Sequence, residues 1–301
     1  SRFIMMNLEG KTVTEPENLN ELCFEDKWIL SKLNAVIRDV TDNMDKYELG
    51  IAVQKVYDFL WDELCDWYIE MAKVRLWKAD EDPKAANDAL WTLRTALTEG
   101  LKLLHPYMPF ITEEIYCTLL PEEESIMISD WPVYQEAWVF PEAEKAVESF
   151  KEAIRGIRNT RTEMNVPMNR KTHLYVVGKD AETCARYEAC KKSFVNLAFA
   201  KEIHVQENKD GIGEDAVSVV VSDAVVYMPL EDLVDREKEM ERLKKEQERL
   251  TKEIARCQGM LNNPNFVNKA PEAKVNAEKE KLQKYEEMME KVNVQLKQME
   301  K

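Results

Sequence analysis

The chain has 301 residues, 45% of them hydrophobic and 33% charged, with eight glycines and a net charge of −15. That length suits two or three domains, and many charges with few glycines point to helix-rich structure. The negative balance excludes a protein that coats nucleic acid by charge alone; scattered histidines and six cysteines without a CxxC pair argue against a metal site, and no apolar run approaches the ~18 residues of a membrane span.

The chain opens with SRFIMMNLEG, without an initiator methionine and in mid-pattern, as expected of a piece of something longer. Three long helices follow. In the first, Ile29, Leu33, Val36, Ile37, Val40 and Met44 recur at steps of three and four, and Gly50 is expected to break it. In the second, Val53, Val56, Tyr57, Leu60, Trp61, Leu64, Tyr68 and Met71 form one apolar stripe. The third starts at Asp82–Pro83, carries Leu90, Leu93, Leu97, Leu101 and Leu104, and stops at HPYMPF, where a shorter helix begins. Such stripes cannot be buried singly, so the helices should pack as a bundle.

Pro121, Pro132 and Pro141 punctuate a connector, and a further helix is expected over 142–161. The period then changes. HLYVVG (173–178), KEIHVQ (201–206), AVSVVV (216–221) and AVVYMP (224–229) read as short strands around one helix near 181–199. Ser222–Asp223 reads as the turn of a hairpin joining the last two.

The tail, 231–301, holds sixteen acidic and sixteen basic residues, so the whole net charge lies in 1–230. Leu233, Met240, Leu243, Gln247, Leu250, Ile254, Cys257 and Leu261 form one heptad seam. Val275, Glu278, Leu282, Tyr285, Met289, Val292, Leu296 and Met299 form another. LNNPNFVNKAPEAK (261–274) interrupts them, and Pro264 and Pro271 oppose a continuous helix. The expected structure is an antiparallel coiled-coil hairpin with arms of about 40 Å, projecting from the body.

Several stretches resemble the valyl-tRNA synthetase family of class I aminoacyl-tRNA synthetases. DWYIEMAK, LHPYMPFITEEIY and IRNTRTEMNVPMNRK are similar to its anticodon-binding bundle and junction. MERLKKE with LNNPNFVNKAPEAK is similar to its C-terminal arm. The resemblance runs along essentially the whole chain. It implies a mainly α fold in three parts: an anticodon-binding helical bundle over 1–150 (1–16 leading in from the catalytic domain), a small α/β junction domain over 151–231 and a coiled-coil tRNA-binding arm over 232–301.

The chain has neither HIGH nor KMSKS, and no editing domain, so no catalytic, cofactor-binding or metal residue is assigned in it. The resemblance implies ATP and Mg2+ for the full-length enzyme only. It further implies a monomer in the cytoplasm that binds tRNA(Val), with no DNA or membrane partner. Two rival readings stay open: the same region of an isoleucyl or leucyl enzyme, and a coiled-coil module that binds protein.

The candidate RNA contacts fall in three groups. Trp67 and Trp77 lie off or at the end of the second helix's stripe and could stack on unpaired bases. Lys73, Arg75 and Lys78 form a basic helix end beside them. Arg155, Arg158 and Arg161 recur every three residues and, with Arg170 and Lys171, face few acids, which suits phosphate contact. Arg242, Lys245, Arg249 and Arg256 are the candidate contacts of the arm.

Overall fold

The computed structural model describes residues 1–167, 169–233, 236–263 and 272–299. The chain forms two compact units, Ser1–Pro229 and Leu230–Lys301.

The first unit opens with the helices α1 (Arg2–Leu8), α2 (Phe24–Asp45), α3 (Leu49–Asp58), α4 (Ile69–Leu76), α5 (Pro83–Leu104), α6 (Pro109–Leu119) and α7 (Pro141–Glu163). Pro83, Pro109 and Pro141 each open a helix, where a missing N–H costs nothing. Asp82 caps α5 by accepting the Ala85 N–H at 3.1 Å. The break after α2 falls earlier than expected. Tyr47 takes the left-handed conformation, with φ of 60°. The Glu48 N–H then returns to the Asn43 carbonyl at 2.8 Å. The turn closes without a glycine, and Gly50 sits in the first turn of α3.

Between α3 and α4 the helix continues as a π-helical stretch, Phe59–Tyr68, where the Ile69 N–H reaches the Leu64 carbonyl five residues back. This overturns part of the expected stripe. Ala52, Val56 and Phe59 are buried at steps of four and three, but the next buried residue is Leu64, a step of five. Trp67, Tyr68, Met71 and Ala72 continue the new face. A strict 3.6-residue period straddles the two faces. Tyr57 and Trp61, expected in the core, are therefore 54% and 56% exposed. Their rings stack 6.2 Å apart and 9° from parallel.

Four strands, β1 (Thr172–Gly178), β2 (Ala200–Gln206), β3 (Val217–Val220) and β4 (Ala224–Met228), form one sheet in the order β2-β1-β4-β3. β3 and β4 make the expected antiparallel hairpin, and β4 also pairs antiparallel with β1. β1 and β2 are parallel, which requires a crossover. Two helices supply it, α8 (Ala181–Ala189) and α9 (Lys191–Leu197), separated at Cys190 where one was expected. α7 packs on both α2 and this α/β layer. It approaches β3 through Gly156, where a Cβ would stand 2.4 Å from Val219 Cγ1. A buried cluster ties the layer together: Ser149 donates to Asp223 at 2.5 Å, and Arg186 reaches the same carboxylate at 3.3 Å.

The second unit begins with α10 (Leu230–Leu233) and consists mainly of α11 (Arg236–Leu261) and α12 (Glu272–Met299). Gln247 meets Asn293, whereas Cys257 meets Glu278, so the two helices run antiparallel. Leu250 and Val292 form the centre of the seam, with Tyr285, Met288 and Met289 against them. Within each helix of the arm, ion pairs join residues three apart, as in Arg249–Glu246 and Arg256–Glu253, and Arg256 also reaches Glu278 on the facing helix at 3.5 Å. Pro264, Phe266, Val267 and Pro271 of the interruption lie outside the described residues, as do the side chains of Met240, Leu243, Leu296 and Met299.

Candidate nucleic-acid interface

The sequence-predicted residues divide by what their helices do with them. Trp67 belongs to the buried face that follows the π-helical step and is only 8% exposed, so it is a core ring and not an open stacking platform. Trp77, at the end of α4, is 69% exposed as expected.

Arg75 turns inward, contrary to expectation. Its two terminal nitrogens donate to Asp26 at 2.6 and 2.5 Å, and the Tyr68 hydroxyl donates to the same carboxylate. Asp26 is completely buried at the start of α2. A charge so placed needs its partner, which removes Arg75 from the surface. Burial, and then the Asp26 charge, push the Tyr68 hydroxyl well above the ordinary tyrosine range. Lys73 pairs with Glu70 and lies 5.5 Å from the Phe3 ring. Lys78 pairs with Glu81 at 3.0 Å.

The basic helix α7 also splits. Arg161 is buried and donates to the backbone carbonyls of Pro167 and Arg170 at 3.2 and 2.6 Å, stapling the loop that leads into β1. It is a structural arginine, not the phosphate contact expected from the three-residue repeat. Arg155 and Arg158 stay on the surface. Arg158 gives Nε and Nη2 to the Leu197 carbonyl at 3.2 and 3.0 Å. Burial pulls its guanidinium below the ordinary arginine range, and Glu70 acts against that. Arg155 has no anionic partner among the described residues. Both guanidinium carbons lie over Trp67, at 5.3 and 5.9 Å from the ring centroid. Thus Trp67, Arg155 and Arg158 share one place, with Glu70 and Lys73 beside it. Arg170 is half-buried and Lys171 exposed, just before β1.

In the arm, Lys245, Arg249 and Arg256 are exposed. Arg249 binds Glu246, and Arg256 binds Glu253 and Glu278. The side chain of Arg242 lies outside the described residues.

A second cationic region was not anticipated. A cleft of about 600 Å³ opens among α1, α5 and the end of α6. Arg2, Lys11 and Arg94 line it together with Met5, Leu8, Val13 and Leu119, and Glu9 and Glu122 are its acids. Arg94 has no ion pair among the described residues. Apolar walls with a few cations suit a group that is flat and apolar in part and anionic in part, as a nucleotide is. The one signal in the sequence was Arg94 itself, a lone charge inside LWTLRTAL.

The family model of the anticodon-binding domain of tRNA ligase matches residues 26–176, half of the chain. The chain belongs to that family. The model of the valyl tRNA synthetase tRNA binding arm matches residues 235–300. Relatives include the valine–tRNA ligase of Clostridium perfringens, 48% identical over 299 residues, covering 97% of this chain and 33% of the relative. That of Clostridium tetani is 49% identical over 292 residues, with the same coverage. That of Bacillus cereus is 39% identical over 301 residues, covering 100% of this chain and 34% of the relative. The chain therefore spans about a third of the length of the curated relatives it matches. Both the anticodon-binding region and the arm lie within that third, and the cationic surfaces of α7 and of the α1–α5 cleft lie in the unit that holds the anticodon-binding match.

Proposed function

We propose that the chain is the tRNA-reading part of a valine–tRNA ligase and that it docks tRNA(Val) for aminoacylation with valine. One observation carries this reading: an anticodon-binding region and an arm of the valyl type follow one another in a single chain. The helical unit meets the anticodon stem-loop and the arm braces the tRNA elbow. The contribution to catalysis is alignment of the acceptor end, which lowers the entropic part of the barrier. ATP, Mg2+ and the bond-making residues belong to the part of the enzyme outside this chain. The working form is a cytoplasmic monomer.

The test is titration of the chain with tRNA(Val) and with isoleucine and leucine tRNAs across a salt series. Binding should weaken linearly in log–log form, with a slope of about −0.7 to −0.9 per phosphate neutralised, and tRNA(Val) should be preferred. Absence of binding at low salt overturns the reading, and equal affinity for the three tRNAs removes the valine assignment. ATP–pyrophosphate exchange with valine should be undetectable with this chain alone.

A further inference from the structure

Three cations converge on one indole. Lys151 Nζ lies 5.5 Å from the Trp67 centroid, with the Arg155 and Arg158 guanidinium carbons at 5.3 and 5.9 Å. All three distances fall within the range of cation–π attraction. Their surroundings differ. Lys151 is buried, 2.6 Å from Glu63 and 3.4 Å from Glu148, and it also lies 4.8 Å from the Trp28 ring. Its charge is satisfied inside the protein. Arg158 gives Nε and Nη2 to the neutral Leu197 carbonyl, and its Nη1 meets no acceptor among the described residues. Glu70, the carboxylate acting on Arg158, is held by Lys73. Arg155 meets no carboxylate among the described residues.

Two guanidinium groups three residues apart on a helix are neighbours and would repel one another if free. Here a buried ring that cannot turn away holds both. Trp67 is fixed because the π-helical step places it on the core side, and Lys151 packs against it from α7.

We propose that Trp67 is a positioning residue that holds Arg155 and Arg158 as a two-pronged clamp for one phosphodiester of the bound RNA. This rests on the RNA-binding reading above. Trp67 itself touches no RNA. It limits the rotamers of two long side chains whose ordering would otherwise oppose binding, and it presents two planar donors toward oxygens of one phosphate.

The experiment compares tRNA(Val) binding across salt for the wild-type chain, Trp67→Phe, Trp67→Leu, Arg155→Ala/Arg158→Ala and the triple variant. Trp67→Leu keeps every charge, yet affinity should fall about tenfold, the loss expected when two long side chains must be ordered on binding instead of beforehand. Its salt slope should also move toward that of the double-arginine variant. Trp67→Phe keeps a ring and should stay within about threefold of wild type. The triple variant should bind no more weakly than the double-arginine variant, because the ring acts only through those arginines. If the leucine variant does not fold, Trp67→Met takes its place. Wild-type affinity in the leucine or methionine variant, or an additive loss in the triple variant, overturns the positioning role alone. Wild-type affinity and slope in the double-arginine variant overturn the phosphate reading of this face, and the positioning role with it.

Discussion

Asn34 and Gln135 stand 101 residues apart and close a ring of two hydrogen bonds: Asn34 Nδ2 donates to the Gln135 carbonyl, and the Gln135 N–H donates to Asn34 Oδ1, each at 2.8 Å. One side chain on α2 thereby satisfies both backbone groups of a residue in the proline-punctuated connector. Asn34 is buried, so no water substitutes easily when it is lost. Asn34→Ala should cost about 1–2 kcal/mol, since two hydrogen bonds from one buried side chain to the Gln135 backbone are lost. The urea midpoint measures this; a shift corresponding to less than about 0.5 kcal/mol would show the connector held by other contacts.

Arg75 and Asp26 form a buried pair. Arg75→Met should destabilise the helical unit by about 3–5 kcal/mol, because Asp26 keeps its charge without its cationic partner. The Arg75/Asp26 double variant to Met and Leu should recover much of that loss. A thermal melt of the three proteins decides it: a double variant as unstable as the single one would mean that packing, not charge, dominates.

Gly156 lets α7 approach β3. In Gly156→Ala the new methyl meets Val219 Cγ1, and about 1–3 kcal/mol of stability should be lost to overpacking. Adding Val219→Ala removes the obstructing carbon, so the second substitution should be less damaging in the alanine background than in wild type. Equal effects in both backgrounds would contradict the close approach.

Alkaline pH should loosen the first unit. Burial raises the Tyr68 and Tyr187 hydroxyls and the Cys190 thiol, and nearby carboxylates add to this: Asp26 for Tyr68, Asp223 for Tyr187 and Glu25 for Cys190. For Tyr187 the hydrogen bond with Ser149 acts in the opposite sense. An unfolded chain releases these protons near pH ~8.5 for cysteine and ~10 for tyrosine, while the folded chain keeps them. The folded state thus binds more protons through that window, so stability is full below it and falls as pH rises. Urea midpoints between pH 8 and 11 should decline, and Tyr187→Phe should decline less steeply. A flat profile would count against the buried placement of these groups.

The arm carries a polar pair in an apolar seam, Gln247 Nε2 donating to Asn293 Oδ1 at 2.7 Å. Such pairs trade stability for register and pairing choice. Replacing both by leucine should raise the arm's melting temperature while permitting self-association. Sedimentation of a strictly monomeric double variant would remove that role.

The bundle helices were readable in sequence because proline at the first position and 3–4 spacing act locally. The strands were readable because β-branched runs end at turn residues. The sheet order was not, since the parallel pairing of β1 with β2 depends on where α8 and α9 pack. The candidate surface was partly readable. Arg155 and Arg158 lie on one face as their spacing required. Arg75 and Arg161 turned inward because Asp26 and the carbonyls of Pro167 and Arg170, distant or irregular in sequence, were there to receive them. The cleft at Arg94 escaped notice because its walls come from three separate segments.

The π-helical stretch has a consequence for chain length. An α-helix turns about 100° per residue. The buried faces before Phe59 and after Leu64 are offset by roughly one such rotation when counted at that rate. From Leu49 to Leu76 the helix therefore holds one surplus residue relative to a plain α-helix burying the same side chains. Deleting one exposed position there, Asp62 for instance, would let the segment relax to ordinary i→i+4 bonding with Val56 and Trp67 still facing inward. What looks like an irregularity is a place where this helix can change length by one without exchanging its inside for its outside.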